Sequence, residues 1–550
     1  MGTAQAASAT PETAHAEHGM VVSAQHLATQ VGVQVLKSGG NAVDAAVAVG
    51  YALAVVYPAA GNLGGGGFMT LRMADGRQTV IDFRETAPGR ATQTLFLDAQ
   101  GKVIPNLSTL GYLSAGVPGT VAGLELARAQ FGTQSRSSLV EPAIVLAEKG
   151  FVLDAGDAEL LQSATPDLAK DPASSKIFTH NGQPYVAGET LRQTDLASTL
   201  RQVAAQGEPG FYRGPVAEKI VLANQQHGGL IDAQDLASYK AIERPPVTCQ
   251  YRGYQIISAP PPSSGGTIVC EILNILEGYP LAQWGFRSPQ AVHVQIEAMR
   301  HAYLDRNFEL GDPGWVMNPV AKLTDKAYAA QLRAAIDLQQ AGVSKNLKPG
   351  VPPHEGQNTT HYSVADEAGN VVSVTYTLNN WFGARVTVPG TGILLNDEMD
   401  DFAIQPNHPN LFGLVQGENN AIAPGKRPLS SMSPTVVLHD GKPFMVVGTP
   451  GGSRIITAVL HTLLNTIDYG MDLQTAIDTP RFHHQWMPDA TQFEPGAISA
   501  ETASALQAMG HQFGPPYVAN HLAVIRQNET GPRWTGATDG RRATGMALGY

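Results

Sequence analysis

Residues 359–378 read TTHYSVADEAGNVVSVTYTL, a stretch that alternates like two β-strands joined by a tight turn. Side chains on a strand point to opposite faces in turn, so every second residue shares a face. A turn centred on Ala368 would set Thr359 opposite Thr377, to within one residue. The pattern therefore predicts a hairpin that brings these two threonines, and the nearby Asn379, to one strand end.

This clustering of hydroxyl groups has two explanations. Threonine is a frequent strand residue, and threonine pairs across strands are common without any function. A threonine hydroxyl can also attack a carbonyl carbon when a base lies beside it. Spacing alone leaves both explanations open.

Around the hairpin, helical and extended patterns alternate along the chain. Residues 22–57 predict two packed helices, the second capped by Asn41, and residues 69–83 predict a hairpin. Residues 117–345 are mainly helical in periodicity, whereas the chain from Thr359 onward has short alternating runs and a helix near 453–468. Strand runs flanked by helical runs on both sides indicate an α+β or α/β layered sandwich.

Composition limits the class of protein. The 550 residues include 43% hydrophobic and 15% charged residues and carry a net charge of −11. Such a chain can bury a large core, and its acidity argues against nucleic acid and anionic membranes as partners. The most apolar run, residues 45–56, is shorter than the ~20 residues of a membrane span and predicts a buried helix. Cys249 and Cys270 are the two cysteines, and the sequence leaves their pairing open.

No cofactor motif is complete. The glycine-rich stretch 61–68 is interrupted by Asn62 and does not fit a dinucleotide-binding loop. Gly425 and Lys426 lack the upstream glycine of a phosphate-binding loop. His354 and Glu355 have no second histidine at the spacing that zinc sites require. We therefore predict neither a cofactor nor a metal.

Short motifs throughout the chain resemble those of the γ-glutamyltransferases (γ-glutamyl transpeptidases) of bacterial type, members of the N-terminal-nucleophile hydrolase superfamily. In the second half they are TTHYS (359–363), YTLN (376–379), GILLNDEMDDF (392–402), KRPLSSMSPT (426–435), PGGSRII (450–456) and PRFHHQW (480–486). In the first half they are GGNAVDAAVA (39–48), GNLGGGGFM (61–69), DFRETAP (82–88), GVPGTVAG (116–123), PPPSSGG (260–266) and GDP (311–313). The resemblance covers about residues 20–550.

The resemblance implies a four-layer αββα sandwich and a precursor that cuts itself between Asn358 and Thr359. Residues 1–20 are expected to be a disordered segment, with a large subunit over 21–358 and a small subunit over 359–550 forming a heterodimer. Cleavage would free the α-amine of Thr359, whose pKa of about 7.7–8.0 suits a base for the hydroxyl of the same residue. Thr359 is thus the expected nucleophile.

The resemblance also assigns roles to other positions. Thr377 would position the nucleophile, and the N–H groups of Gly451 and Gly452 would stabilise the oxyanion. Arg84, Ser430 and Ser431 would bind the α-carboxylate of the substrate. Asn379, Glu398 and Asp401 would bind its α-ammonium group. Charged groups at both ends of the site would select a zwitterion.

Several positions depart from the common family pattern. Asn358 stands where better-known bacterial members have Gln, which could slow self-cleavage, and Glu398 stands where some members have Gln. The aromatic residues Trp381, Phe412 and Trp534 are expected to line an acceptor mouth or lid, Phe412 within the stretch 406–426 that resembles the family's lid loop. Such a mouth would disfavour polar acceptors and favour hydrolysis.

The expected function is hydrolysis and transfer of γ-glutamyl groups from glutathione, glutamine and γ-glutamyl amides, to water or an acceptor amine. One alternative is a cephalosporin (glutaryl) acylase of the same superfamily, and another is an unprocessed, inactive precursor. Bacterial relatives are mostly periplasmic or secreted, and we expect the same here. The N-terminus as written has no basic and apolar regions of a signal peptide, so that signal is expected to be missing.

Overall fold

The computed structural model describes residues 13–346, 359–410, 413–518, 521–542 and 544–550. Its strands are β1 (Ala14–Ala16), β2 (Met20–Ser23), β3 (Gly66–Arg72), β4 (Gln78–Asp82), β5 (Phe151–Val152), β6 (Thr190–Leu191), β7 (Ile242–Arg244), β8 (Val247–Tyr251), β9 (Tyr254–Ser258), β10 (Thr360–Ala365), β11 (Val371–Thr377), β12 (Thr387–Val388), β13 (Ile393–Leu394), β14 (Thr435–His439), β15 (Lys442–Val447), β16 (Phe482–His483), β17 (Gln492–Phe493), β18 (Ala523–Gln527), β19 (Trp534–Thr538) and β20 (Met546–Gly549). Its α-helices are α1 (His26–Lys37), α2 (Ala42–Val56), α3 (Thr120–Phe131), α4 (Arg136–Lys149), α5 (Ala155–Leu168), α6 (Pro172–Phe178), α7 (Thr194–Gln206), α8 (Pro209–Tyr212), α9 (Gly214–Gln226), α10 (Ala233–Ser238), α11 (Gly265–Leu276), α12 (Leu281–Trp284), α13 (Pro289–Glu309), α14 (Val320–Leu323), α15 (Lys326–Ala335), α16 (Arg454–Ile467), α17 (Leu473–Asp478) and α18 (Ala500–Ala508).

Two seven-stranded antiparallel sheets form the centre of the molecule. Sheet I has the strand order β20-β2-β10-β11-β3-β4-β7, and sheet II has the order β1-β19-β18-β15-β14-β9-β8. Each sheet combines strands from before and after residue 358, so the two predicted subunits share both sheets. The remaining strands form two-stranded ribbons at the periphery.

The central strands β10 and β11 are buried on both faces, as strands between two covering layers are. In β14, Val436 packs into the cluster between the two sheets, whereas Val437 packs against α11, α13 and α16 on the outer face of sheet II. In β11, Val371 faces the same inter-sheet cluster, and Val372 packs against α1, α2 and α3 on the outer face of sheet I. Three apolar clusters thus separate four layers, and the predicted αββα sandwich is confirmed.

The predicted hairpin is β10 and β11, at the centre of sheet I. Thr360 pairs with Tyr376, and the register continues without a shift to Ala365 and Val371. One residue further back along this register, Thr359 lies opposite Thr377. The alignment of the two threonines is confirmed.

The predicted pair of helices is α1 and α2. The side-chain oxygen of Asn41 accepts hydrogen bonds from the N–H groups of Val43 and Asp44 at 2.9 and 3.0 Å. The Asp44 carboxylate in turn accepts one from the Asn41 N–H at 2.9 Å, which completes a capping box. Every residue of α2 is buried, as the apolar run predicts.

The prediction of disorder up to residue 20 is wrong from Ala14 onward. Strand β1 pairs with β19, and β2, which begins at Met20, pairs with β10 and β20. Pairing with strands from the far end of the chain satisfies the backbone groups and orders this segment. Residues 1–12 lie outside the described ranges.

Two further features concern the chain as a whole. A disulfide joins Cys249 in β8 to Cys270 in α11 and so links sheet II to the helices that cover it. In the described ranges, none of the helices combines the length and apolar character needed to cross a bilayer.

Candidate functional site

A partly open cavity with about 310 Å³ of empty space, some of it shared with solvent, lies where β10 begins and β11 ends. Nine of the residues predicted from the sequence line it: Arg84, Thr359, Thr377, Asn379, Glu398, Asp401, Ser430, Ser431 and Gly452. They come from segments spread over almost 370 residues of the chain. The lining also includes Arg306, Leu414, Met432 and Ile455, which were not predicted.

The threonine end of the cavity is fixed by the turn that follows β11. Thr377 Oγ1 accepts a hydrogen bond from the Asn379 N–H at 2.9 Å. Asn379 has a φ of +77°, in the left-handed region that asparagine tolerates better than most residues. Its side-chain amide donates to the carbonyl oxygen of Asp397 at 3.0 Å, which ties the turn to the segment carrying Glu398.

At the opposite wall, the guanidinium of Arg84 is buried among carboxylates. It donates to Glu398 through Nη1 and to Asp401 through Nη2, and its Nε donates to the Pro428 carbonyl oxygen at 3.2 Å. Glu85 lies 3.5 Å from Nη1. The residues predicted for opposite ends of a zwitterion therefore contact each other directly.

These contacts shift the pKa values of the cluster. Burial alone would lower the pKa of Arg84, but Glu398, Asp401 and Glu85 together raise it above its usual value. Burial raises the pKa of Glu398 well above its ordinary range, even though Arg84 opposes this shift. Burial likewise raises the pKa of Glu85 to about 7. Three carboxyl groups around one guanidinium leave this side of the cavity without excess positive charge.

The main chain of Arg84 is held as firmly as its side chain. Its carbonyl oxygen accepts hydrogen bonds from the Tyr239 hydroxyl at 2.8 Å and from Arg427 Nη1 at 3.2 Å. Its N–H donates to the Asp82 carboxylate at 2.9 Å, and the same carboxylate oxygen accepts from Arg427 at 2.6 Å. Arg84 is thus fixed by groups outside the cavity.

Ser430 and Ser431 lie on an extended segment that packs against the PPPSSGG stretch. The Ser430 N–H donates to the Pro262 carbonyl oxygen at 2.8 Å, and its carbonyl oxygen accepts from the Ser264 N–H at 2.8 Å. Ser431 Oγ accepts a hydrogen bond from Arg306 Nη2 at 2.9 Å. Both serines are nearly fully buried where they line the cavity.

The glycine pair lies between β15 and α16. Gly451 and Gly452 have φ values of +136° and +55°, conformations that residues with side chains rarely adopt. Their carbonyl oxygens accept from the N–H groups of Arg454 and Ile455 at 3.1 and 3.2 Å. Within the described part of the chain, neither glycine N–H donates a hydrogen bond. Gly452 lines the cavity, whereas Gly451 is not among its lining residues.

Comparison with known proteins identifies the family. A family model described as gamma-glutamyltranspeptidase matches residues 28–549. The chain belongs to the γ-glutamyltranspeptidase family. It is 60% identical over 544 residues to the glutathione hydrolase proenzyme of Pseudomonas sp. (strain A14), with 97% of this chain and 95% of that protein covered. The glutathione hydrolase proenzyme of Escherichia coli (strain K12) is 48% identical over 537 residues, covering 97% of this chain and 92% of that protein.

Among solved structures, cephalosporin acylase from Bacillus halodurans superposes with a TM-score of 0.87 at 28% sequence identity. The match covers 100% of this chain and 99% of that one. The γ-glutamyltranspeptidase fold is therefore shared with an acylase, and the fold alone does not separate these two activities.

Of the three aromatic residues expected at the acceptor mouth, the structure describes two, Trp381 and Trp534, and neither lines the cavity. Trp534 is buried in β19, in the cluster between the two sheets, so its prediction as a lid residue is wrong. Trp381 is half-buried and packs edge-on against Tyr57 at 6.2 Å, with Arg542 4.4 Å from its ring, and it does not line the cavity. Phe412 and the cleavage-site residue Asn358 lie outside the described residues.

One cluster in the described ranges has the composition of a metal site, away from the cavity: His293, Glu297 and His511. The Nδ1 atom of His293 lies 2.7 Å from Nε2 of His511, a direct hydrogen bond between the rings. Both oxygens of Glu297 accept from Arg300 at 3.2–3.3 Å. Because the facing histidine nitrogens and both Glu297 oxygens already have hydrogen-bond partners, we assign no metal to this cluster.

Arg306 is the charged cavity residue that the sequence prediction missed. It lies near the end of α13, and four-residue steps connect it to the buried residues Ala298 and Ala302 on the same helix face. A charged residue that continues a buried helical row is unusual, because an arginine is almost never fully buried without a partner. That pattern is the sequence signal that could have identified it.

Proposed function

We propose that this chain is a γ-glutamyl hydrolase and transferase that acts on glutathione, glutamine and γ-glutamyl amides. The observation that carries the proposal is the placement of Thr359 immediately before β10, in one cavity with Arg84 and Asp401. A nucleophile and both charges needed for an amino acid head group then face the same space. The chain's 60% identity to a glutathione hydrolase proenzyme supports the same substrate class.

In the proposed mechanism, cleavage of the peptide bond before Thr359 frees its α-amine. This amine takes the proton from the Thr359 hydroxyl, directly or through a water, as the oxygen attacks the γ-carbonyl carbon. The N–H groups of Gly451 and Gly452 stabilise the negative charge on the former carbonyl oxygen. The amine leaving group departs with a proton from the Thr359 ammonium, and a γ-glutamyl ester remains. Water or an acceptor amine then attacks that ester and restores the hydroxyl.

Substrate recognition requires the ion cluster around Arg84 to open. The α-carboxylate would take hydrogen bonds from Arg84, Ser430 and Ser431, and the α-ammonium would replace Arg84 as the partner of Glu398 and Asp401. Each charged group thus keeps an opposite charge beside it, which limits the cost of desolvation.

The acylase alternative is supported by the close structural match to a cephalosporin acylase. A glutaryl group has the carboxylate of a γ-glutamyl group but lacks the ammonium. Glu398 and Asp401 would then face no positive group of the substrate, so the γ-glutamyl proposal is favoured. Rates on γ-glutamyl and glutaryl p-nitroanilides, measured side by side, separate the two.

We extend the proposal to assembly and location. A large subunit ending at residue 358 and a small subunit starting at Thr359 would stay together as a heterodimer because they share both sheets. The Cys249–Cys270 disulfide supports a periplasmic or secreted location, since such bonds persist in oxidising compartments.

The test is the intact mass of the denatured protein, followed over hours at neutral pH. Cleavage before Thr359 would divide the 58.1 kDa chain into fragments of about 38 and 20 kDa, in proportion to their lengths. The Thr359→Ala variant should remain one chain and show no hydrolysis of γ-glutamyl p-nitroanilide. A wild-type chain that never divides, or one that divides but releases no p-nitroaniline, would contradict the proposal.

A further inference from the structure

Arg306 connects the two serines of the cavity through hydrogen bonds from different nitrogens. Its Nη2 donates to Ser431 Oγ at 2.9 Å, and its Nε donates to Ser264 Oγ at 3.0 Å. Ser264 Oγ donates in turn to the Ser430 carbonyl oxygen at 2.7 Å. One guanidinium therefore fixes the side chain of Ser431 and, through Ser264, the main chain of Ser430.

The hydroxyls of Ser430 and Ser431 each keep a hydrogen that they can donate to a ligand. A hydroxyl has one hydrogen and two lone pairs. Ser431 Oγ accepts from Arg306, and Ser430 Oγ accepts from the Met432 N–H at 3.1 Å. Neither oxygen donates to another residue in the described ranges. Two adjacent hydroxyl donors lining one cavity suit an anionic group such as a carboxylate.

The charge of Arg306 points to the same ligand. Its hydrogen-bond partners among the described residues are all neutral: Ser264, Asn307, Gln416 and Ser431. Burial lowers the pKa of Arg306 to about 10, opposed only in part by Tyr303 and Asp401, so the group is charged at neutral pH. Arg84, by comparison, already has carboxylate partners. A buried charge without an opposite charge is costly, and an anionic ligand would remove that cost.

We propose that Arg306 is a positioning residue for the α-carboxylate of the γ-glutamyl substrate. It aligns the hydroxyls of Ser430 and Ser431 and adds a second positive charge to that of Arg84 at this end of the substrate. This inference rests on the proposed γ-glutamyl specificity and adds to it a determinant for one end of the substrate.

The role predicts a specific kinetic signature. Arg306 acts on the α-carboxylate and not on the scissile carbonyl, so its loss should raise KM with little change in kcat. The effect should vanish for a substrate without the α-carboxylate. The 4-aminobutanoyl p-nitroanilide is such a substrate, because it keeps the amine and the scissile amide of the γ-glutamyl compound.

The experiment compares both p-nitroanilides on processed wild-type enzyme and on Arg306→Gln. For the γ-glutamyl substrate we expect KM to rise roughly 10- to 100-fold, the range for losing a hydrogen bond to a charged group. For the 4-aminobutanoyl substrate, kcat/KM should change less than about threefold, within ordinary mutational scatter. Arg306→Lys should restore part of the loss in KM, because lysine keeps the charge but not the planar fork.

Two further variants keep the test decisive. Arg300→Gln removes another buried arginine from α13, outside the cavity, and should leave the ratio of the two KM values unchanged. Ser264→Ala removes the link from Arg306 to Ser430, and should raise KM for the γ-glutamyl substrate alone. Ser264→Ala and Arg306→Lys carry the test if Arg306→Gln does not divide into subunits, as judged on a denaturing gel.

The outcomes are distinguishable. If the Arg306 and Ser264 variants have the wild-type KM, or lose activity equally on both substrates, the inference about Arg306 is overturned while the γ-glutamyl proposal stands. If the divided wild-type enzyme hydrolyses no γ-glutamyl substrate, the proposed function itself has failed.

Discussion

Gly65 approaches Thr377 so closely that a Cβ atom on the glycine would lie 1.9 Å from the Thr377 carbonyl oxygen. The same oxygen accepts a hydrogen bond from the side-chain amide of Asn62 at 2.9 Å, and Asn62 also accepts one from the Gly65 N–H. The stretch 61–68, which does not fit a nucleotide-binding loop, thus supports the strand end that carries Thr377. Its glycines permit close backbone contact.

We expect Gly65→Ala to impair catalysis through this contact. The added methyl group must displace either the loop or the end of β11, and overpacking of this kind costs about 1–3 kcal/mol of stability. Because Thr377 lies opposite Thr359, kcat on γ-glutamyl p-nitroanilide should fall at least roughly tenfold, the effect of about 1.4 kcal/mol on a barrier. Thermal unfolding and steady-state kinetics measure the two effects.

The matched control is Gly314→Ala. A Cβ there would meet its nearest atom at 3.5 Å, an ordinary contact. This variant should keep wild-type kcat. Unchanged kcat in Gly65→Ala would mean that the loop does not hold Thr377 in place.

A second prediction concerns the ion cluster of Arg84 and Asp401. Arg84→Gln leaves the carboxylates of Asp401 and Glu398 without the counter-charge of the guanidinium, and Asp401→Asn takes one of its carboxylate partners from Arg84. Each change should lower kcat/KM by a factor that corresponds to about 2–5 kcal/mol. In the double variant both members of the pair are gone, so the loss of their mutual contact is incurred once and not twice. We therefore expect the double variant to lose much less than the sum of the single losses.

The exposed pair Arg201 and Glu148 provides the control cycle, since about half of each side chain is accessible to solvent. Its two neutralised variants and their combination should each stay near wild-type activity. Additive losses at Arg84 and Asp401 would argue that the two residues act on the substrate independently.

Local patterns were sufficient for much of the fold. The β10–β11 register follows from strict alternation around one short turn, and α2 follows from an apolar run preceded by Asn41. Both are contacts between residues close in sequence, where the pattern itself limits the alternatives. The candidate site residues came from the family resemblance, and nine of them line one cavity in the structure.

Contacts between distant segments were not predictable in the same way. The sequence around Trp534 predicts a lid residue, because nothing near it indicates that β19 pairs with β1, more than 500 residues earlier. The ion pairs of Arg84 with Glu398 and Asp401 also join segments over 300 residues apart. Arg306 was missed because helical periodicity identifies a buried face but not what that face contacts.

A third prediction tests whether Trp381 influences acceptor choice. Trp381→Ser removes a half-buried ring two residues after Asn379, and we expect a higher ratio of transfer to hydrolysis with a polar acceptor such as glycylglycine. Trp534→Leu is the comparison, because Trp534 is buried between the sheets. It should lower the unfolding temperature, since shortening a large core side chain leaves a cavity, and it should leave the ratio unchanged. An unchanged ratio in Trp381→Ser would remove this residue from the acceptor site.

The last prediction concerns the pH dependence of stability through Asp157, in the first turn of α5. Burial, reinforced by Asp154, raises the pKa of Asp157 to about 7, although Gln25 opposes the shift. One of its carboxylate oxygens has no hydrogen-bond partner among the described residues. The folded state therefore binds a proton more tightly than the unfolded chain, whose Asp pKa is near 3.9.

The sign follows from proton linkage. Between about pH 4 and 7 the folded protein holds the proton and the unfolded chain loses it, so this group's contribution to stability falls as pH rises. Above about pH 7 both states are ionised and the contribution no longer changes. Asp157→Asn abolishes the titration. The free energy of unfolding of this variant should therefore exceed that of the wild type by an amount that grows from about pH 4 to pH 7 and then stays constant. The gain should be on the order of 2–4 kcal/mol at pH 8.

Urea unfolding at several pH values from 4 to 8.5 gives the comparison directly, with Glu159→Gln, an exposed carboxyl on the same helix, as the control. The control curve should run parallel to that of the wild type. A constant difference between Asp157→Asn and wild type across the whole range would show that Asp157 has the same pKa in the folded and unfolded states. The unpartnered oxygen would then be solvated in solution, and its burial would carry no energetic consequence.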